Sequence, residues 1–318
     1  MSLSIFHDTV RCISLLLTRI KITRTVSVIL FILTITTSRF ASADSYPQLF
    51  DSHDDNLQLL LDTTVRKLGL MDAVHRKDLA VALVDLSHPH HPRVADLNGN
   101  EMMYAASLPK IGILLAALYE VEQGRLTLTR WLHQTLVKMI RFSSNSDASR
   151  VMEIVGKSRV NEILESKPFK LYDPSHNGGI WVGKEYAKAP AFQRDPLHNI
   201  SHGATTLQVA RFYYLLETGQ LLTPGLNAEM KEILSKPGIR HKFVKGLAGR
   251  NASLFRKSGT WQQWHADSAL VETPGGTFII VALASDPRGG DWLTRLAPAV
   301  YDAMQTRRVA AASAGDNS

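Results

Sequence analysis

The chain has 318 residues, 45% of them hydrophobic and 20% charged, with a formal net charge of +7. That length supports a large core in one domain or two closely packed lobes, and the composition is that of an ordinary globular protein. A single cysteine, Cys12, excludes a disulfide framework and a cysteine metal centre.

The N-terminus reads as an export signal. Arg19, Lys21 and Arg24 precede an apolar run from Val26 to Thr37, and Ala41-Ser42-Ala43 offers a cleavage site before Asp44. The apolar run is short for a membrane span, and the basic region is long for a signal, so an uncleaved N-terminal anchor stays open. Removing residues 1–43 takes Cys12, five Lys/Arg and one acid, leaving 31 basic against 28 acidic residues, a net +3. The high isoelectric point therefore partly reflects the signal and does not point to nucleic acid. An exported bacterial protein, periplasmic and monomeric, is the expectation, with no stable membrane insertion after cleavage. Residues 308–318 are small and polar and read as a flexible tail.

Between these ends the elements follow in order. Asp54 to about Gly69 has helical apolar spacing, Leu79 to Leu86 reads as a buried strand, and Val94 to Leu97 as a second. Ser107 to Glu122 is a strong helix, followed by helical segments near 127–141, 146–155 and 158–166. From Lys167 to Gly203 the pattern dissolves into Pro, Gly, His and Asp, the mark of a functional or mobile connection. Thr205-Thr206 caps a helix through Leu216, and another lies near 224–234. Ser253–Lys257, Ala266–Glu272 and Thr277–Ser285 read as a strand meander, and a helix from about Asp291 to Arg307 closes the domain. Strands at both ends of a helical middle predict an α+β fold. One antiparallel sheet would be built from both chain ends, with a helical lobe over about 107–236 and a cleft between them.

Three short motifs carry chemistry. Ser107-Leu108-Pro109-Lys110 opens the best helix and is the only Ser-x-x-Lys in the chain. Serine and lysine one helical turn apart can act as nucleophile and base, and the helix N-terminus offers N–H groups to an oxyanion. About one such pattern arises by chance in a chain this long, so alone it reads more readily as a capping serine and a snorkelling lysine than as a catalytic pair. Ser143-Ser144-Asn145 places a hydroxyl and an amide at a helix start, where proton relay and carbonyl binding are available, though N-capping explains it as well. Lys257-Ser258-Gly259-Thr260 ends a strand. There a lysine and a serine can bind a carboxylate, a glycine admits a ligand to the strand edge, and the Thr260 N–H can face an oxyanion.

In this order and context the three motifs resemble the penicillin-recognising serine enzymes, the β-lactamases and penicillin-binding proteins. The resemblance covers about Asp54 to Arg307 and is nearest to the class A β-lactamase-like fold. It implies that Ser107 is the acylated nucleophile and Lys110 its base or proton relay. It implies that Ser143 and Asn145 serve proton transfer and amide binding, that Lys257 and Ser258 bind carboxylate, and that Ser107 and Thr260 N–H groups form the oxyanion hole. No cofactor or metal is implied. The substrate class the resemblance implies is a β-lactam or a peptidoglycan-stem-like peptide. The leading activity expected from it is β-lactam hydrolysis, with a D-alanyl-D-alanine peptidase, another envelope amide or ester hydrolase, or a non-hydrolytic sensor as rivals.

Two departures stand out. Ser107 and Ser143 are only 36 residues apart, which implies a trimmed excursion between their helices. The Glu-x-x-Leu-Asn that holds the deacylating glutamate in class A enzymes has no match between residues 160 and 205. Glu185 is the best substitute base, with Asp195, Asp173 and Glu165 behind it. His265-Ala266-Asp267 follows the third motif, and His265 is expected on the cleft side of its strand, with cross-strand packing as the alternative. His88, His90 and His91 are interleaved with prolines and read as a turn rather than a metal tract.

Overall fold

The structure is a computed structural model that describes residues 46–315. The expected signal, with Cys12, lies outside the described residues.

A short 3₁₀ turn (Leu49–Asp51) leads into α1 (Asp55–Lys67), capped by the Asp54 carboxylate, which accepts from the Leu57 N–H at 2.7 Å. After α2 (Met71–His75), β1 (Leu79–Asp85) and β2 (Arg93–Leu97) form a hairpin. The tiny strand β3 (Met103–Tyr104) precedes α3 (Lys110–Glu122), and α4 (Arg130–Arg141), α5 (Asn145–Val155) and α6 (Lys157–Glu165) complete the first part of the helical lobe. Next come β4 (Tyr172–Asp173), β5 (Gly178–Gly179), β6 (Trp181–Val182) and β7 (His202–Ala204), then α7 (Thr206–Glu217), α8 (Pro224–Leu234) and the single turn α9 (Phe243–Gly246). The meander β8 (Ser253–Trp261), β9 (Trp264–Thr273) and β10 (Gly276–Ser285) is followed by α10 (Gly289–Gly315).

The main sheet is antiparallel with order β2-β1-β10-β9-β8. The first strand of the domain thus pairs with its last, Leu79 against Ala284 through Asp85 against Phe278. All seven residues of β1 are buried because both faces of the sheet are covered. Ala80, Ala82 and Val84 join the core shared with the helical lobe, whereas Leu79, Val81 and Leu83 join the core under α1 and α10. Within the lobe α3 is buried on nearly every side, which accounts for its continuous apolar run rather than a stripe.

Three expectations are corrected. The strong helix starts at Lys110, not Ser107, because Ala106 is left-handed (φ 51°) and residues 106–109 form a turn. The stretch 167–203 is not a bare connection: β3 pairs with β7, β7 with β6, and β4 with β5. The closing helix runs to Gly315, beyond the Arg307 read from sequence, through a run rich in alanine, the strongest helix former.

Candidate active site

Ser107 sits in the turn ahead of α3, at the meeting of the sheet edge and the helical lobe. The turn is fixed from both sides. Before it, the Ala105 N–H donates to His202 O (3.0 Å), and within it the Leu108 N–H donates to Ala105 O (3.0 Å). Left-handed Ala106 costs about 1–2 kcal/mol, and its place one residue before Ser107 marks the turn as a held conformation.

Lys110 begins α3, and its amine is buried. Its Nζ donates to Asn145 Oδ1 (2.7 Å) and Ser143 O (2.7 Å), with a longer contact to Ser143 Oγ (3.4 Å). Ser143 is itself left-handed (φ 56°), which turns its carbonyl and hydroxyl toward the lysine. Ser144 caps α5 by accepting from the Asp147 N–H, so the second motif supplies both the cap and the site, on adjacent serines. Lys257, on the edge strand β8, reaches the same hydroxyl: its Nζ donates to Ser143 Oγ (2.9 Å) and to Ser258 O (2.7 Å). Ser143 therefore bridges the two lysines. The hydroxyls of Ser107 and Ser258 make no hydrogen bond within the protein among the described residues.

Burial pushes Lys110 from 10.5 down to about 7, with the Asp147 charge opposing it. Lys257 is pushed well below its ordinary value, first by burial and then by Lys110. Near neutral pH a substantial share of Lys110 is the free amine, the form able to take a proton.

Gly259 brings the strand onto the Ser107 turn. A Cβ there would lie 2.1 Å from Ala105 O and 2.8 Å from the Ser107 N. Thr260 is exposed, and its Oγ1 accepts from Lys242 Nζ (2.8 Å), which also donates to Gly259 O and Ala266 O. Behind the strand Arg256 and Asp267 form a buried two-pronged pair (2.7 and 2.8 Å), with Asp267 also accepting from the Phe243 N–H. Lys242 and Arg256 carry no signal in the sequence, and Asp267, noted there beside His265 as a cleft-facing acid, is instead the buried partner of Arg256. A basic residue eleven before a candidate strand acid carries no local signal.

The structure thus gathers Ser107, Lys110, Ser143, Asn145, Lys257, Ser258, Gly259 and Thr260. It does not bring Glu185 or His265 to them. Glu185 is ion-paired with Lys157 at the start of α6, at the other end of α5 from Asn145. Asp195 is buried and bound by the Tyr172 hydroxyl and the His198 N–H; Asp173 accepts from Ser175. No carboxylate among the described residues hydrogen-bonds Lys110. The residue that reaches Lys110 from this segment is Tyr186, with the Nζ 4.3 Å from its ring centre. His265 lies opposite Thr260 and packs against Gly289 and Gly290 at the start of α10, not in the cleft. The alternation reading placed it on the wrong face.

The chain belongs to the Beta-lactamase enzyme family, whose model matches residues 130–304, more than half of its length. Ser107 and Lys110 lie ahead of that match. Among curated protein sequences none matches the chain. Solved structures share the fold at low identity. A β-lactamase from Sphaerobacter thermophilus is 17% identical over 76% of this chain and 95% of its own, with a TM-score of 0.59. A representative class A β-lactamase from Bacteroides cellulosilyticus is 15% identical over 78% and 98%, at 0.62. A mutant of PBP-A, held as its acyl-enzyme with penicillin G, is 17% identical over 80% and 98%, at 0.59.

Proposed function

We propose that this protein is an exported serine acyl-transfer enzyme that opens β-lactams through an ester on Ser107. The observation that carries the reading is the buried amine of Lys110, tied to Asn145 and Ser143 and joined to Lys257 through one hydroxyl. In acylation the Ser107 Oγ–carbonyl bond forms as the lactam C–N bond breaks. The serine proton passes to neutral Lys110, and the lactam nitrogen takes a proton through Ser143, resupplied from the two lysines. The developing oxyanion is held by the N–H groups of Ser107 and Thr260. The Asn145 amide N–H₂, whose oxygen faces Lys110, is left to meet a substrate carbonyl. A substrate carboxylate beside Ser258 would favour the charged form of Lys257 and so gain an ion pair on binding.

Whether the ester is then hydrolysed quickly, as in a β-lactamase, or slowly, as in a peptidase or sensor, turns on what faces Lys110. A specific observation favours the slow reading: the 167–203 segment presents Tyr186 there and turns Glu185 away. Intact-mass spectrometry with benzylpenicillin tests the reading. The expected result is an adduct of one penicillin on the wild type and none on Ser107→Ala. Folded wild type that gains no adduct from any β-lactam would remove the proposal, and release of D-alanine from a stem peptide would move the natural substrate to peptidoglycan.

A further inference from the structure

Tyr186 is held from three directions. Its N–H donates to Ser149 Oγ on α5 (3.1 Å), its hydroxyl approaches Ala106 O (3.4 Å), and its ring stacks on His202 at 4.3 Å with only 4° between planes. His202 is buried on β7, beside the strand that fixes the Ser107 turn. The order in space is therefore amine, phenol ring, imidazole: Lys110, Tyr186, His202. Tyr104 extends the same wall, tilted against His202 at 6.3 Å and edge-on to Trp264 at 6.0 Å.

We propose that Tyr186, backed by His202, is the positioning residue that keeps Lys110 dry, setting the pH at which Ser107 is acylated and closing the lysine to hydrolytic water. The inference rests on the acyl-enzyme reading above and assigns its lifetime. Hydrolysis requires a water oxygen to bond the ester carbon as the bond to Ser107 Oγ breaks, with the water's proton passing to a base. A ring 4.3 Å from Nζ occupies a face of the lysine from which such a water could hand over its proton, and the Tyr186 hydroxyl, its pKa pushed up by burial, stays protonated and supplies no base. The ester therefore persists.

The charged and titratable groups around Lys110 are Lys257 on β8, Asp147 on α5, Tyr186, and His202 behind it, with Lys184 acting on His202. His202 is pushed down to about 3 by burial first, then by Lys110 and Lys184, so the backing ring is neutral at any working pH. A ring face also attracts an ammonium, an effect opposite in sign to desolvation. Burial is the larger influence on Lys110, so opening this wall raises its pKa.

The experiment compares wild type, Tyr186→Phe and Tyr186→Ala. It reads acylation rate against pH, acyl-enzyme lifetime by intact mass, and Lys110 titration by NMR of ¹³C-labelled lysine. Tyr186→Phe should keep the wild-type midpoint and lifetime. Tyr186→Ala should raise the midpoint by about one unit or more and shorten the lifetime about tenfold. An unchanged midpoint in folded Tyr186→Ala overturns the proposal, and so does a downward move, which would make the ring a cation partner instead. If Tyr186→Ala does not fold, His202→Ala, which removes the backing ring, must shift the midpoint upward by a smaller amount. A wild type that no β-lactam acylates would sink the functional reading alone, because the NMR titration still decides the role of Tyr186.

Discussion

Gly259 and Ser107 are in backbone contact: a Cβ on the glycine would fall 2.8 Å from the serine's amide nitrogen. The edge strand and the Ser107 turn therefore have no side-chain layer between them. Gly259→Ala must push the turn and its N–H away. It should cost on the order of 2 kcal/mol of stability and slow acylation by roughly 100-fold or more, read by thermal melting and stopped-flow with a chromogenic β-lactam. Wild-type acylation in Gly259→Ala would show that the turn yields freely.

Acylation should depend on pH through Lys110. The base form is the free amine, so the rate should rise about tenfold per pH unit below the midpoint and level off above about 7. A rate that is flat from pH 5 to 9 would remove Lys110 from the proton-transfer step.

The same lysine should weaken the fold at neutral pH. Its pKa falls from 10.5 in the free side chain to about 7 on folding, so between those values the unfolded chain binds a proton that the folded chain has released. Its contribution to stability therefore increases as pH rises from about 7 to 10.5, and is least favourable below 7. Lys110→Met should stabilise the protein at pH 6–7 by about 1 kcal/mol and flatten that slope in urea titrations, while abolishing acylation. Destabilisation at every pH would mean the hydrogen bonds to Asn145 and Ser143 outweigh desolvation.

Asp267→Asn should be the most damaging conservative change behind the site. It leaves Arg256 buried without its counter-charge and Lys242 without its nearest acid, at a cost of about 3–5 kcal/mol. A small loss in melting temperature would show that water reaches Arg256.

Glu185→Gln should change acylation and deacylation by less than about twofold, because its carboxylate serves a partly exposed pair with Lys157. Pre-steady-state rates separate the two steps. A deacylation defect alone would restore Glu185 as the base expected from its place in the sequence.

Much of the molecule was legible before the fold was seen. The α8 boundaries at 224 and 234 and the three-strand meander follow from apolar period and capping residues, and the gathering of Ser107, Ser143 and Lys257 from the family resemblance that the three motifs carry. The 167–203 segment was not. Its strands are two or three residues long, and their partners, such as Met103–Tyr104, lie far away in the chain, so no local period announces them. Tyr186 went unrecognised as a contact of Lys110 for the same reason. Asn161, bonded both ways to the backbone of Val182, fixes how this segment enters the site, and that pairing spans 21 residues. His265 shows a different limit. Alternation gave the period of β9, but which phase faced the cleft depended on where α10 would dock.

The pairing of β1 with β10 has a consequence for biogenesis. Lys257 and Gly259 belong to a meander whose last strand is joined to the domain's first, so the edge that meets Ser107 is secured only when residues up to about Ser285 have been made. On the proposed acyl-enzyme reading, a nascent chain that displays Ser107 and Lys110 would still be chemically silent. Covalent capture by a penicillin would then count finished molecules and serve as a probe of folding.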